Sequence, residues 1–410
     1  MPGLGRALNR CRTMRILISD YSGHPFQVQL SRELARRGHW VTHTYSAGFQ
    51  TPKGNLAVGE GDPEGFSIVP VNTSKPFAKN SFFTRRNQEI EIGHRLAELV
   101  EAVAPEVVIS SNAPLDTQRV FQAAAKRRGA GFVFWLQDIY SEAIGRVIPR
   151  KFPVVGSIVA ARYRNLEFRM LRESDHVVAI TADFVPILAA KGVDEDKITV
   201  IENWAPLDEL PRHPRDNAWA EENMSGDAVR IVYSGTLGYK HNPALLKALA
   251  AELPQAHVHV FSQGEVADRL AAEAAADGIA NLSVHPWVPF SDLPLMLSGS
   301  DIFVVVIEPE AGVYSVPSKV LTYLGIGRPI LASVPLENLA ARLILENEAG
   351  FVSPPGEDRF LIEKAKALAD PAQREQLGDN GRAYASRQFD VASIATRFET
   401  VIAKAGTGTR

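Results

Sequence analysis

Short apolar runs alternate with amphipathic stretches along almost the whole chain. The run Arg15-Ile-Leu-Ile-Ser19 reads as a strand, and a helical period follows from Phe26 to Arg37, closed by Gly38. The same logic predicts strands over 40–45, 107–111, 132–136, 176–180 and 198–201, with helices over 87–103, 116–128 and 183–191. Between 206 and 227 the period dissolves into Pro, Asp, Glu and Asn, as expected of a linker. The alternation then restarts, with strands over 229–233, 257–261, 282–285, 302–307 and 330–332. Helices are predicted over 243–253, 265–277, 318–326 and 391–404. Continuous apolar strands alternating with helices imply parallel sheets covered on both faces. The expected architecture is α/β: two doubly wound, Rossmann-like domains, 14–205 and 228–390, facing a cleft. The helix in 391–410 is expected to pack back on the first domain.

Bulk properties narrow the picture. A chain of 410 residues exceeds one ordinary core. Its longest apolar stretch, Phe152 to Ala161, is followed by Arg162 and Arg164 and falls short of the roughly 18 residues that span a bilayer. A single cysteine, Cys11, excludes an intrachain disulfide and a cysteine-based zinc site, which fits a reducing cytoplasm. The first 13 residues contain Arg6, Arg10 and Arg12 but no apolar signal-like core, so they read as an extension, with Met14 a second candidate start. The net charge of -3 argues against a nucleic-acid partner. Up to Trp204 there are 26 Lys and Arg against 21 Asp and Glu, and 18 against 26 thereafter. A basic half beside an acidic one hints at an anionic surface or partner.

In open parallel sheets ligands sit beyond the carboxyl ends of strands, so the loops directly after strands carry the candidate chemistry. Tyr21-Ser-Gly-His-Pro25 combines a glycine turn with a helix start, where free N–H groups favour a phosphate or hydroxyl. It lacks the G-x-G-x-x-G spacing of dinucleotide enzymes, which argues against a nicotinamide oxidoreductase. Ser234-Gly-Thr-Leu-Gly238 followed by Lys240 is a plausible anion cradle, and Ser262-Gln-Gly264 is a similar small-residue loop. The segment from Glu308 to Pro329 offers a glycine loop, then a helix expected near Pro317, with Ser315 and Ser318 as candidate caps. Lys319 and Thr322 would share one face of that helix. Dipole, N–H groups and ammonium together suit a diphosphate, although a plain capped helix has the same signature.

The segment from Tyr314 to Pro329 resembles the donor-binding stretch of retaining glycosyltransferases of family 4, which have the GT-B fold. The resemblance runs along almost the whole chain, through Arg36-Arg-Gly-His39, Ile201-Glu-Asn-Trp204, Ser234 to Gly238, Trp287-Val-Pro-Phe290, Leu293 and Ser300-Asp301. It points to the bacterial surface-polysaccharide branch that includes N-acetyl-L-fucosamine transferases. The family's Glu-x7-Glu pair falls here on Tyr314 and Thr322, so a hydroxyl stands where a carboxylate usually holds the ribose. Glu308 and Glu310 lie just upstream as substitutes. Where relatives place a histidine after the strand that here is 132–136, this chain has Gln137-Asp138.

The resemblance implies transfer of a sugar from a nucleoside-diphosphate donor, expected to be a UDP-sugar, to a saccharide or polyprenyl-linked acceptor. Donor contacts would come from Gly235, Thr236, Ser262, Gln263, Gly264, Trp287, Val288, Glu310, Ser315, Val316, Pro317, Ser318, Lys319 and Thr322. Gly23, His24 and Asp138 would face the acceptor, and Asp138, His24, Lys240 and Lys319 would act in catalysis. No Asp-x-Asp pair follows a strand, so neither metal nor other cofactor is expected. The stretch 146–172, with seven Lys or Arg interleaved with apolar residues, suits an anionic membrane surface and a peripheral location, or else an ordinary solvated helix. A nucleotide-sugar epimerase or hydrolase on the same fold is the alternative enzyme, and a non-catalytic scaffold the alternative to an enzyme.

Overall fold

A computed structural model describes residues 12–48, 53–75, 82–111, 113–142, 144–145, 153–224, 226–237, 241, 243–307, 309, 312 and 314–407. The first sheet has seven strands: β1 (Arg15–Asp20), β2 (Trp40–Ser46), β3 (Phe66–Val71), β4 (Val107–Ser111), β5 (Gly131–Leu136), β6 (His176–Ala179) and β7 (Ile198–Val200). Their order is β3-β2-β1-β4-β5-β6-β7, and every pairing is parallel. The second sheet comprises β8 (Val229–Ser234), β9 (Ala256–Phe261), β10 (Leu282–His285), β11 (Ile302–Val306), β12 (Ile330–Ser333) and β13 (Gly350–Ser353), in the order β10-β9-β8-β11-β12-β13. Central strands such as β4, β5 and β11 are buried at every position, as continuous apolar runs between two helical layers must be. This is the two-domain α/β architecture expected.

In both sheets the strand order reverses at the first strand, between β1 and β4 and between β8 and β11. A crevice opens beyond the carboxyl ends at such a switch point. The loops after β1, β4, β8 and β11 therefore line it.

Two strands escaped the sequence reading. β3 is an edge strand whose burial is mixed and which contains Pro70, so it shows no alternation. β13 is four residues long and opens with Gly350, where a Cβ would meet the Ile330 carbonyl oxygen at 2.0 Å.

Part of the expected linker is docked. Residues Ala218–Asn223 form a short helix whose Asn217 cap accepts from the Ala220 N–H at 3.1 Å and donates to the Leu295 carbonyl at 3.0 Å. The Arg215 guanidinium reaches both oxygens of Asp301, at 2.9 and 3.0 Å. With few buried apolar residues, among them Leu210, Ala220 and Met224, the expected linker has too few anchors to show a period.

Helix Val391–Thr407 lies against the first sheet. Gly131 at the start of β5 leaves room for it, since a Cβ there would meet the Ala405 carbonyl oxygen at 2.4 Å. Phe398 packs on Trp135 at 4.7 Å between ring centroids, and Trp204 stacks on Trp135 at 6.0 Å. Phe26 closes the cluster edge-on, 5.1 Å from Trp204. Truncating a buried aromatic of this kind typically costs about 3–5 kcal/mol. The rings thus fix the helix that follows the first loop.

Candidate active site

On the first domain, β1 ends at the fully buried Asp20, which organises the loop after it. Its carboxylate accepts the Ser22 N–H at 3.0 Å and the His24 N–H, and it faces His24 Nδ1 at 3.2 Å. Burial alone would raise the Asp20 pKa, but the facing imidazole and N–H hold it below the ordinary carboxylate value. Burial likewise opposes charge on His24, yet Asp20, and after it Asp138, hold its pKa above that of an ordinary imidazole. The structure therefore brings His24 and Asp138 within each other's field, and it adds Asp20 as an anchor. Gly23 adopts φ 78°, and its carbonyl accepts the Gly54 N–H at 3.0 Å, so the segment around Lys53 folds over this loop. Gln137 and Asn203 exchange amide hydrogen bonds, at 3.3 and 2.6 Å, across the loops after β5 and β7.

On the second domain, helix Lys319–Ile326 matches the stretch expected over 318–326, with Ser318 at its N-terminal cap position. Ser318 is exposed and makes no side-chain capping bond, contrary to expectation. Ser315 does not cap through its side chain among the bonds described; its carbonyl instead accepts from Asn338 Nδ2 at 2.8 Å. Asn338 also donates to the Gly312 carbonyl at 2.6 Å, so this asparagine ties down the loop that two serines were expected to hold. Tyr323 pins the helix to the sheet. Its hydroxyl accepts the Ser234 N–H at 2.9 Å, and its ring stacks on Phe303 at 3.9 Å.

Lys319 lies one turn before Tyr323 on the same face. Its Nζ is buried, 3.7 Å from the centroid of the Tyr233 ring. A Cβ on Gly235 would come within 3.3 Å of that Nζ, and Gly235 holds φ 125°, a conformation other residues adopt only under strain of about 1–3 kcal/mol. Backbone and ammonium thus converge just beyond β8, at the switch point. The Tyr233 hydroxyl donates to the Thr236 carbonyl at 2.8 Å, and Ser262 Oγ accepts the Leu237 N–H at 3.1 Å. The cradle loop is therefore braced from below, with Thr236 itself exposed.

Of the other expected donor contacts, Gln263 and Gly264 are exposed, Val288, Val316 and Thr322 are partly buried, and Pro317 is buried. Trp287 keeps a buried Nε1 with no acceptor among the described residues. Lys240 and Glu310, with Glu308, lie outside the described residues. Among those described, no group of three or more His, Cys, Asp or Glu is arranged to hold a metal ion.

Two family descriptions match successive stretches of the chain. "Glycosyl transferase 4-like domain" covers residues 24–204, and "Glycosyl transferases group 1" covers residues 215–384. The chain is a glycosyltransferase with the GT-B fold. This glycosyltransferase is 22% identical over 289 residues to the probable glycosyltransferase WbjE of Pseudomonas aeruginosa, across 67% of the chain and 72% of WbjE. It shares its fold with HepE of Anabaena in complex with UDP-glucose, at a TM-score of 0.68 and 16% identity over 96% of the chain and 100% of HepE. It is also similar to sucrose-phosphate synthase of Thermosynechococcus elongatus, at a TM-score of 0.72 and 16% identity over 96% and 99% of the two chains. The second match begins at residue 215, where Arg215 docks on Asp301.

Sequence reasoning missed Asp20, Tyr233, Tyr323 and Asn338. Asp20 is the one with a visible signal, an acidic residue directly preceding a post-strand glycine loop. The two tyrosines and the asparagine are indistinguishable in sequence from core and capping residues.

Proposed function

We propose that this glycosyltransferase moves a sugar from a UDP-sugar to a saccharide or polyprenyl-linked acceptor in surface glycoconjugate synthesis, with retention at the anomeric carbon and no metal. The observation that carries the reading is the Lys319 ammonium, buried beside Gly235 where the loop after β8 meets the start of a helix. A diphosphate approaching that backbone meets a preorganised positive charge, which is worth most as negative charge builds on the leaving group. The departing phosphate then takes the acceptor proton, on the same face of the sugar. Thr322 offers a hydroxyl to the ribose, and the buried Trp287 Nε1 offers a donor to the base. His24 and Asp138 face the acceptor, and closure of the cleft brings it to the anomeric carbon. UDP as the nucleotide is supported by the HepE complex with UDP-glucose, which shares the fold. The N-acetyl-L-fucosamine branch is the narrower reading of the sugar and rests on sequence resemblance.

We read the enzyme as cytoplasmic and peripheral to the membrane's inner face. In support, no described helix is long and apolar enough to cross a bilayer. Helix Pro153–Glu173 exposes Val154, Val155 and Ile158, next to a groove of about 740 Å³ lined by Arg119, Arg162, Arg169 and Arg172.

Thermal-shift titration with UDP, GDP and dTDP tests the donor. UDP at a hundred times its Kd should stabilise the protein by about 2.7 kcal/mol, with and without a chelator. Absence of any nucleotide-dependent shift at millimolar concentration would remove the donor reading. NMR of the product's anomeric proton decides between retention and inversion.

A further inference from the structure

The loop after β5 carries Asp138 and turns at Tyr140 into a short helical segment. A helix start leaves N–H groups without partners, usually met by a Ser, Thr, Asp or Asn at the cap. Here the cap position is Ile139, a buried side chain that accepts nothing. The acceptor comes from 27 residues downstream in sequence. Glu167, fully buried on helix Pro153–Glu173, takes the Tyr140 N–H on Oε1 at 3.0 Å and the Ser141 N–H on Oε2 at 2.9 Å. Neither oxygen forms an ion pair among the described residues; the nearby Arg164 pairs with Glu142 instead, at 3.3 Å. A buried carboxylate is costly, and two consecutive backbone donors offset part of that cost only while the loop keeps this conformation. The loop conformation in turn decides where Asp138, two residues before the first of these donors, stands relative to His24.

We infer that Glu167 is the positioning residue of the acceptor loop, a cap lent by a neighbouring helix that sets the place of Asp138. This deepens the proposed function, since it rests on Asp138 facing the acceptor. The same helix presents its apolar and basic outer side to solvent, so a single element connects that surface to the loop.

Two variants test it. Glu167→Gln can accept only one of the two N–H groups, and Glu167→Asp keeps the charge on a shorter reach. In the full-length enzyme, hydrogen exchange at Tyr140 and Ser141 should speed up at least about tenfold in both. The KM for a saccharide acceptor should rise at least about fivefold, while the KM for the UDP-sugar and its acceptor-free hydrolysis hold at wild-type values. Unchanged exchange overturns the inference, whatever the activity. Faster exchange with an unchanged acceptor KM reduces Glu167 to a structural cap and also overturns it. An equal rise in donor KM would mean a general loosening rather than loop positioning. A wild-type enzyme that transfers nothing would sink the proposed function, and the exchange arm would still report on the cap. Should Glu167→Gln not fold, Glu167→Asp carries the same comparisons.

Discussion

The two walls of the cleft are built on opposite electrostatic principles. Beyond β1 and β5 the first domain gathers titratable groups: Asp20 and Asp138 raise the pKa of His24, and burial pushes the Tyr140 hydroxyl far above its usual value, with Asp138 and Glu167 adding to that. Beyond β8 the second domain offers a fixed cation, a glycine and a helix start, with Tyr233 and Tyr323 as uncharged braces. Each wall also contradicts the charge balance of its own half of the sequence. The half richer in Lys and Arg places the carboxylates of Asp20 and Asp138 beyond its strand ends, and the acidic half places an ammonium there. Net charge describes the outer surface, whereas a site is governed by the few groups that burial makes strong. One wall is suited to handling protons and hydroxyls, the other to receiving a diphosphate.

Removing the fixed cation should have the largest effect. Lys319→Ala is expected to lower kcat/KM at least tenfold, about 1.4 kcal/mol or more. Steady-state kinetics with saturating acceptor checks this, and an unchanged value would mean that the second wall binds no diphosphate through this group. The first wall should respond to pH instead. Asp20 raises the His24 pKa, so wild-type His24 keeps its proton to a higher pH than the ordinary 6.5. Asp20→Asn should move the imidazole-dependent limb of the kcat/KM profile to lower pH and leave nucleotide affinity alone. A shift in UDP affinity of similar size would erase the distinction between the walls. The smallest effect is expected where the walls meet. Arg342 Nη2 lies 2.6 Å from Asp183 across the two domains, and both side chains are about one-third exposed. Such a pair is worth roughly 0.2–1 kcal/mol. Arg342→Ala should widen the unliganded particle in small-angle scattering, most visibly at low salt, with little change in melting temperature.

Much of this was legible in the sequence, for identifiable reasons. The alternation of apolar runs with helical periods announced both sheets, because buried parallel strands leave continuous apolar stretches. The nearness of Gly235 and Lys319 follows from the loops in which both stand, beyond the carboxyl ends of neighbouring strands. What escaped depends on long-range partners. Asp20 reads as a turn residue until its carboxylate is seen gathering the Ser22 and His24 N–H groups. Glu167 reads as the lone acid of the basic stretch 146–172, since nothing in the sequence reveals that Ile139 needs its help. Ser318 carried a capping signal that the helix does not use, and the loop before it is held by Asn338, 20 residues further on. Edge strand β3 hid behind its mixed burial.

The placement of helix Val391–Thr407 has a consequence for how the protein is made. Trp135, Trp204 and Gly131 belong to the first domain, yet the side chains and backbone that cover them, Phe398 and Ala405, are translated only after the second domain. As the chain leaves the ribosome, the early domain waits with an aromatic face uncovered while the later one, drawn from contiguous sequence, can close around its own sheet. The order of synthesis and the order of completion are thereby reversed, and the early half is the one exposed to chaperones and proteases until helix Val391–Thr407 emerges.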